Sequence, residues 1–163
     1  MILDRNMMFD GGATGTFVAI TTTRDSTDIV DVGISGQVGG GREMSAGTDI
    51  YLLLLSNRLF AGGTSIQVAI QAAPDNGSGA EGTYVTYALS PVLTLANLNA
   101  APGLLFPISV PRPPFGSPIP RFYKLNYTVV GTFTAGGVMA GLILPYGRDD
   151  VVYYPTNINV ANI

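Results

Sequence analysis

The chain has 163 residues, of which 12% are charged and 47% hydrophobic, and its net charge is −3. It contains neither cysteine nor histidine, which excludes disulfides, Ser-His-Asp and Cys-His catalysis and the usual zinc ligands. Its eight basic residues are outnumbered by eleven carboxylates, which disfavours nucleic-acid binding. We therefore expect one domain that is not an enzyme, needs no cofactor and leaves uncharged surface for protein partners.

The N-terminal sequence "MILDRNMMFD" mixes charges with apolar residues and has no apolar run of signal-peptide length. It predicts an arm over residues 1–12 and a cytoplasmic start. The longest strongly apolar run, "IYLLLL" from Ile50 to Leu55, is six residues. A membrane helix needs about 20 such residues, so no membrane association is expected.

Short apolar stretches separated by glycine and proline predict an all-β chain. The predicted strands are Thr16–Thr23, Asp28–Ile34, Asp49–Ser56, Thr64–Gln71, Thr83–Leu89, Val92–Leu95, Leu104–Val110, Arg121–Val130 and Gly137–Leu144. Strict alternation in "SIQVAIQ" places Ile66, Val68 and Ile70 on one buried face. One helical turn is predicted in "LTLANLNAAPG". The pattern favours a sandwich or barrel over a parallel α/β sheet.

The stretch "FYKLNYTVVGTFTAGGVMAGLIL" (122–144) predicts a hairpin of the last two strands, with Lys124 pointing out of the sheet. The residues assigned to its two buried stripes are Tyr123, Leu125, Tyr127, Val129, Val138, Ala140, Leu142 and Leu144. We interpret this hairpin as part of the structural frame.

Three long loops are predicted at 35–47, 73–82 and the proline-rich 111–120, and a C-terminal tail at 145–163. The tail tyrosines are Tyr146, Tyr153 and Tyr154. Tyrosine beside proline outside the last strand is typical of a contact surface, although packing within the chain is the alternative.

Other motifs have simpler readings. Asp25, Asp28 and Asp31 recur every three residues, but they lack the spacing of a calcium loop and fit turns and caps better. The adjacent Asp149 and Asp150 are interpreted as a solvated turn. The glycine-rich "FDGGATGT" and "GGGRE" are interpreted as turns, and the glycosylation triplets at Asn76 and Asn126 as chance.

The order of several motifs is similar to that of a known family. The opening "MILDRNMMFD", then "STDIVDVG", "YLLLL", "SIQVAIQAAPDNG", "YKLNYTVVGTFTAGGVMAGLIL" and "YYP" together resemble the Bordetella-phage-type capsid cement proteins of tailed bacteriophages. The resemblance covers most of the chain, and "LNYTVVGTFTAGGVMAGL" is its most specific part. It implies a single jelly-roll β-sandwich of about eight strands, with long loops and extended N- and C-terminal segments.

The resemblance also implies a function. A cement protein sits on the outer surface of the head, in the virion, after synthesis in the host bacterial cytoplasm, and clamps neighbouring subunits of the major capsid protein. Self-association is expected, with a homodimer preferred over a trimer. The alternative function is a carbohydrate- or receptor-binding jelly-roll module of the virion.

Contacts with the capsid are expected from apolar, aromatic and arginine residues in segments predicted to lie outside the sandwich. These segments are the N-terminal arm, the proline-rich loop and the C-terminal tail. The predicted contact residues are Ile2, Leu3, Arg5, Met7, Met8, Phe9, Arg112, Phe115, Tyr153, Tyr154 and Ile158.

Overall fold

The structure is a computed structural model that describes residues 5–12, 15–33, 50–100, 104–111 and 117–143. Within these ranges antiparallel strands dominate, which confirms the all-β prediction. The elements are a 3-10 turn at Arg5–Met7, β1 Met8–Asp10, β2 Val18–Ala19, β3 Arg24–Asp25, β4 Val30–Asp31, β5 Tyr51–Ser56, β6 Ala61–Gly62, β7 Ser65–Ala73, β8 Val85–Leu89, β9 Leu93–Thr94, α1 Leu95–Leu98, β10 Leu104–Ser109, β11 Phe122–Val130, β12 Phe133–Ala135 and β13 Gly137–Ile143.

The strands form two main sheets. The first has the order β1-β13-β5-β10, with β2 also on β13, and the second has the order β3-β11-β7-β8, with β4 on β11 and β9 on β7. β1 and β2 lie on the same side of β13, β3 and β4 on the same side of β11, and β8 and β9 on the same side of β7. Each of these pairs counts as one position, so the described strands of the two main sheets occupy eight positions. Numbered along the chain, the first sheet is 1-8-3-6 and the second 2-7-4-5. This nesting of pairs 1:8, 2:7, 3:6 and 4:5 in alternate sheets is a jelly roll, which confirms the predicted fold class.

The hydrophobic core lies between the two sheets because each long strand turns one apolar face inward. On β7, Ile66, Val68 and Ile70 are all buried, as their alternation predicts, while Gln67 and Gln71 are half-buried on the outer side. The largest buried side chains of the core come from both sheets and include Phe9, Ile20, Leu52, Leu54, Tyr123, Leu125, Tyr127 and Phe133.

The predicted hairpin over 122–144 is wrong in its pairing. β11 lies in the second sheet and pairs with β7 over nine residues, whereas β13 lies in the first sheet and pairs with β5 and β1. The chain crosses between the sheets through β12, which pairs with β6 in a small two-stranded sheet. β11 and β13 each carry an apolar face. Because the two strands lie in opposite sheets, both faces are buried in the core between them.

The inward face predicted for β11 is confirmed. Tyr123, Leu125 and Tyr127 are fully buried, Val129 is half-buried against the core, and Lys124 is on the other face. On β13 the predicted Val138, Ala140 and Leu142 are buried, while Leu144 lies outside the described residues.

The bounds of the outer strands differ most from the predicted bounds. The predicted strand over 16–23 is reduced to β2, and β3, absent from the prediction, follows it. The predicted helical turn is present as α1. Thr94 and Asn97 close a reciprocal capping box at its start, which satisfies backbone groups that would otherwise lack partners. The predicted 35–47 loop lies outside the described residues.

Candidate functional site

The N-terminal arm divides into exposed and buried parts. Arg5 is exposed and Met7 half-buried, whereas Met8 and Phe9 lie in β1 and are only 5% and 1% exposed. β1 pairs with β13, at Met8 opposite Gly141, so this part of the arm belongs to the first sheet. Of the four predicted contact residues of the arm that the structure describes, Arg5 and Met7 therefore offer surface to a partner, whereas Met8 and Phe9 do not.

The remaining predicted contact residues lie outside the described residues, and their role stays a prediction. They are Ile2, Leu3, Arg112, Phe115, Tyr153, Tyr154 and Ile158. The same holds for Tyr146, Asp149 and Asp150.

An open sheet edge was missed by the sequence analysis. Among the described residues, β8 is the last strand of the second sheet and pairs with β7 alone. Its sequence, "VTYAL", has no charge and no proline, and Val85 and Leu89 are 56% and 57% exposed. Val92, three residues after the strand ends, is also exposed. The amphipathic signal placed a strand here, but periodicity does not distinguish an outer strand from an inner one.

A groove of about 420 Å³ opens beside this edge. Its walls come from the end of β7, from the start of β8 and the residues before it, and from both flanks of the proline-rich segment. The lining residues are Ala72, Pro74, Thr83, Val85, Thr86, Tyr87, Pro111, Ser117 and Pro118. No charged side chain is among these, so the groove suits an apolar or neutral group. Burial raises the pKa of Tyr87, which keeps its hydroxyl neutral.

Two of the three regularly spaced aspartates, Asp25 and Asp31, tie one edge of the second sheet to β11 and to Arg121 just before it. Asp25 accepts hydrogen bonds from Asn126 and Lys124, both at 2.7 Å, and these hold its pKa below the usual range. Arg121 donates to both oxygens of Asp31 at 2.8 Å and lowers the pKa of that carboxyl likewise. Among the described residues no group of three or more candidate ligands could hold a metal ion.

Arg121 also binds Asp75 and so links the turn after β7 to β4. The backbone N–H groups of Gly79 and Gly77 donate to Asp75, and with Arg121 they lower its pKa. The turn at 75–81 is closed by a bridge between Asp75 and Glu81. These bonds fix the turn that leads into the open edge β8.

Lys124 is engaged rather than free for chemistry. Its ammonium bonds Asp25 and lies 4.1 Å from the ring centroid of Tyr84. Burial, with the negative charge of Glu81, raises the pKa of Tyr84. Asn126, in the second glycosylation triplet, is held against Asp25. The described outer face of β11 is thus a structural network of ion pairs and hydrogen bonds.

The described part of the chain contains no helix long and apolar enough to span a membrane.

Comparison with curated proteins finds no match. The Bbp16 family model matches residues 15–142, which is more than three quarters of the chain and runs from the turn before β2 almost to the end of β13. The matched region therefore contains the second sheet and the first sheet apart from β1 and the last residue of β13. The chain belongs to the Bbp16 family, a family of Bordetella bacteriophage proteins.

Proposed function

We propose that this protein is a capsid cement, or decoration, protein that binds the outer surface of a tailed-phage head. There it stabilises contacts between subunits of the major capsid protein. Membership of a phage protein family, the resemblance of the ordered motifs and the jelly-roll fold support the proposal. The observation that carries it is the uncharged open edge β8, with Val85 and Leu89 exposed beside an apolar groove.

Such an edge is unusual in a protein without a partner. An outer strand presents unpaired backbone N–H and C=O groups, and natural proteins normally protect it with lysine, proline, a bulge or a covering segment. β8 has one irregularity in its register with β7, but its sequence has no charge or proline. A capsid subunit that covers the edge and groove would satisfy the backbone groups and bury the aliphatic side chains.

The proposed role on the capsid also suggests how strongly the protein binds, how it self-associates and where it acts. Each contact can be weak, because many copies act together on a closed shell. A homodimer, preferred over a trimer, would bridge neighbouring subunits, and light scattering of the purified protein measures its size. The protein acts on the outer capsid surface after synthesis in the host cytoplasm, without nucleic acid, membrane, cofactor or catalysis.

The test is co-sedimentation of the purified protein with heads that lack it. Wild type should bind saturably. Leu89→Lys, which puts a charge on the open edge, should weaken binding about tenfold or more. Thr128→Lys adds the same charge at an exposed position of β11, which is an inner strand, and should bind like wild type. If wild type stays in the supernatant at all concentrations, the proposal is wrong.

The carbohydrate-binding alternative receives no specific support from the described residues. Sugar sites place several polar groups around the ligand, and tyrosine or tryptophan often stacks on its ring. The groove is lined largely by proline, alanine, valine and threonine, with Tyr87 as its one aromatic side chain among the described residues. Binding on a glycan array would revive this alternative.

A further inference from the structure

The turn between β5 and β6 contains an unusual pair of residues. Arg58 has φ of 58°, and among the described residues it is the one non-glycine residue in this left-handed region. Leu59, beside it, is 67% exposed, more than any other large hydrophobic side chain that the structure describes. An arginine in this conformation is strained, since its Cβ crowds the backbone, and such strain persists only where the surroundings enforce it.

The residue before the pair is fixed to β13. The backbone N–H of Asn57 donates to the carbonyl of Gly137 at 3.1 Å, and the N–H of Gly137 donates to Asn57 Oδ1 at 3.1 Å. The same side-chain oxygen accepts from the N–H of Leu59 at 3.2 Å. Asn57 thus holds the start of the turn against the first sheet.

The residue after the pair is fixed just as firmly. The N–H of Phe60 donates to Asn99 Oδ1, and Asn99 Nδ2 donates back to the carbonyl of Phe60, both at 2.9 Å. The Phe60 ring is buried and packs edge-on against Phe133, with their centroids 5.2 Å apart. Two amide side chains therefore hold the backbone on both sides of Arg58–Leu59 in one conformation.

Within the part of the chain that the structure describes, neither Arg58 nor Leu59 has an internal role for its side chain. The ion pairs among the described residues use Arg24, Arg121 and Lys124, and Arg58 is in none of them. Arg58 is an exposed cation on a chain whose net charge is −3. A turn whose backbone is already fixed loses less conformational entropy on binding, and a large exposed apolar side chain gains from burial.

We propose that the Arg58–Leu59 tip, defined as these two residues, is a preformed contact point for a protein surface. That surface offers an apolar pocket to Leu59 and a carboxylate to Arg58. The inference rests on the proposed function, since the surface is that of the capsid shell. A charged hydrogen bond beside a buried aliphatic side chain gives such a contact both direction and affinity.

The test uses co-sedimentation of the full chain with heads that lack it. Leu59→Ser and Arg58→Glu should each weaken binding about tenfold. Arg58→Gly should also weaken binding while raising the melting temperature, because glycine removes both the charge and the backbone strain. A variant that is more stable but binds more weakly cannot owe its defect to unfolding. Ile29→Ser is the matched control, because Ile29 is an exposed aliphatic residue outside the tip and the β8 edge.

The outcomes separate the two proposals. Wild-type binding with unchanged affinity in Leu59→Ser and Arg58→Glu would overturn the tip and leave the cement function standing. An equal loss in Ile29→Ser would also overturn it, because the effect would not be specific to the tip. Absence of wild-type binding would overturn both proposals.

Discussion

Tyr127 donates its phenolic O–H to Oδ2 of Asp10 at 2.6 Å, and this bond joins β11 of the second sheet to β1 of the first. Both residues are fully buried. Oδ1 of Asp10 accepts from the guanidinium of Arg24 at 3.1 Å and from the N–H and O–H of Thr27 at 3.1 and 2.7 Å. The Asp10 carboxylate therefore holds the described N-terminal strand in the fold.

Removing the Tyr127 hydroxyl tests this arrangement. Burial and the charge of Asp10 raise the pKa of Tyr127 well above its usual range, so the hydroxyl remains a donor. Tyr127→Phe should lower the free energy of unfolding by about 1–3 kcal/mol, because Oδ2 of Asp10 loses its partner in the core. Denaturant titration measures the change. Thr128→Ala, at an exposed neighbouring position, should cost less than about 0.5 kcal/mol. Equal stability of Tyr127→Phe and wild type would contradict this account.

Acid should destabilise the fold through the aspartates of the second sheet. The pKa values of Asp25, Asp31 and Asp75 are lowered in the folded chain. Groups of this kind stabilise the protein above their unfolded pKa, about 3.9, and lose that contribution as the pH falls through the lower folded value. The melting temperature should therefore fall as the pH drops below about 4.

Asp31→Asn isolates one part of this acid effect. The variant should be less stable than wild type at neutral pH. The difference should shrink as the pH falls from about 4 through the lower folded pKa of Asp31, below which Asp31 is protonated in both the folded and the unfolded state. Thermal melts from pH 6 to pH 2 measure it. A constant difference at all pH values would show that the Asp31–Arg121 ion pair is not its source.

A pair of glycine substitutions tests the crossing between the sheets. Gly136 has φ of 118°, and an added Cβ would overlap the Phe60 ring, so Gly136→Ala should cost about 3 kcal/mol or more. Gly77 has φ of 93° but open space around it, and Gly77→Ala should cost only about 1 kcal/mol from backbone strain. Denaturant midpoints of the two variants give the comparison. Similar losses in both would mean that the Phe60 contact is unimportant.

The C-terminal tail is predicted to contribute to capsid attachment. Removing residues 146–163 deletes Tyr153, Tyr154 and Ile158, the tail residues expected to bury apolar surface on the shell. The truncated protein should bind heads more weakly and protect them less against heat. Its own melting temperature is the control, since the deletion begins beyond the last described strand. Unchanged attachment and heat resistance would contradict the tail assignment.

The sequence predicted faces well and strand partners poorly. Alternation around Ile66 and Tyr123 correctly identified the inward sides of β7 and β11, because side-chain direction is a local property of a strand. Pairing is not local. The last two long strands are close in sequence and were expected to pair, yet a jelly roll sends them to opposite sheets with partners distant in sequence.

Most of the candidate contact surfaces could not be predicted from the sequence either, because they also depend on strand pairing, which is not local. Met8 and Phe9 look like residues of an apolar arm, but pairing with β13 buries them. Val85 and Leu89 look like ordinary strand residues, and only the strand order leaves them at an open edge. The strain at Arg58 depends on bonds from Gly137 and Asn99, which are far away along the chain. The local sequence around Arg58 indicates no more than a short connection between two predicted strands.

An electron-microscopy reconstruction of the phage head would show whether the protein binds the outer capsid surface. We expect jelly-roll density on the outer surface of the shell, across contacts between neighbouring major capsid protein subunits, with the β8 edge turned toward the shell. A head without such density, or jelly-roll density only on the tail or fibres, would contradict the proposed cement function.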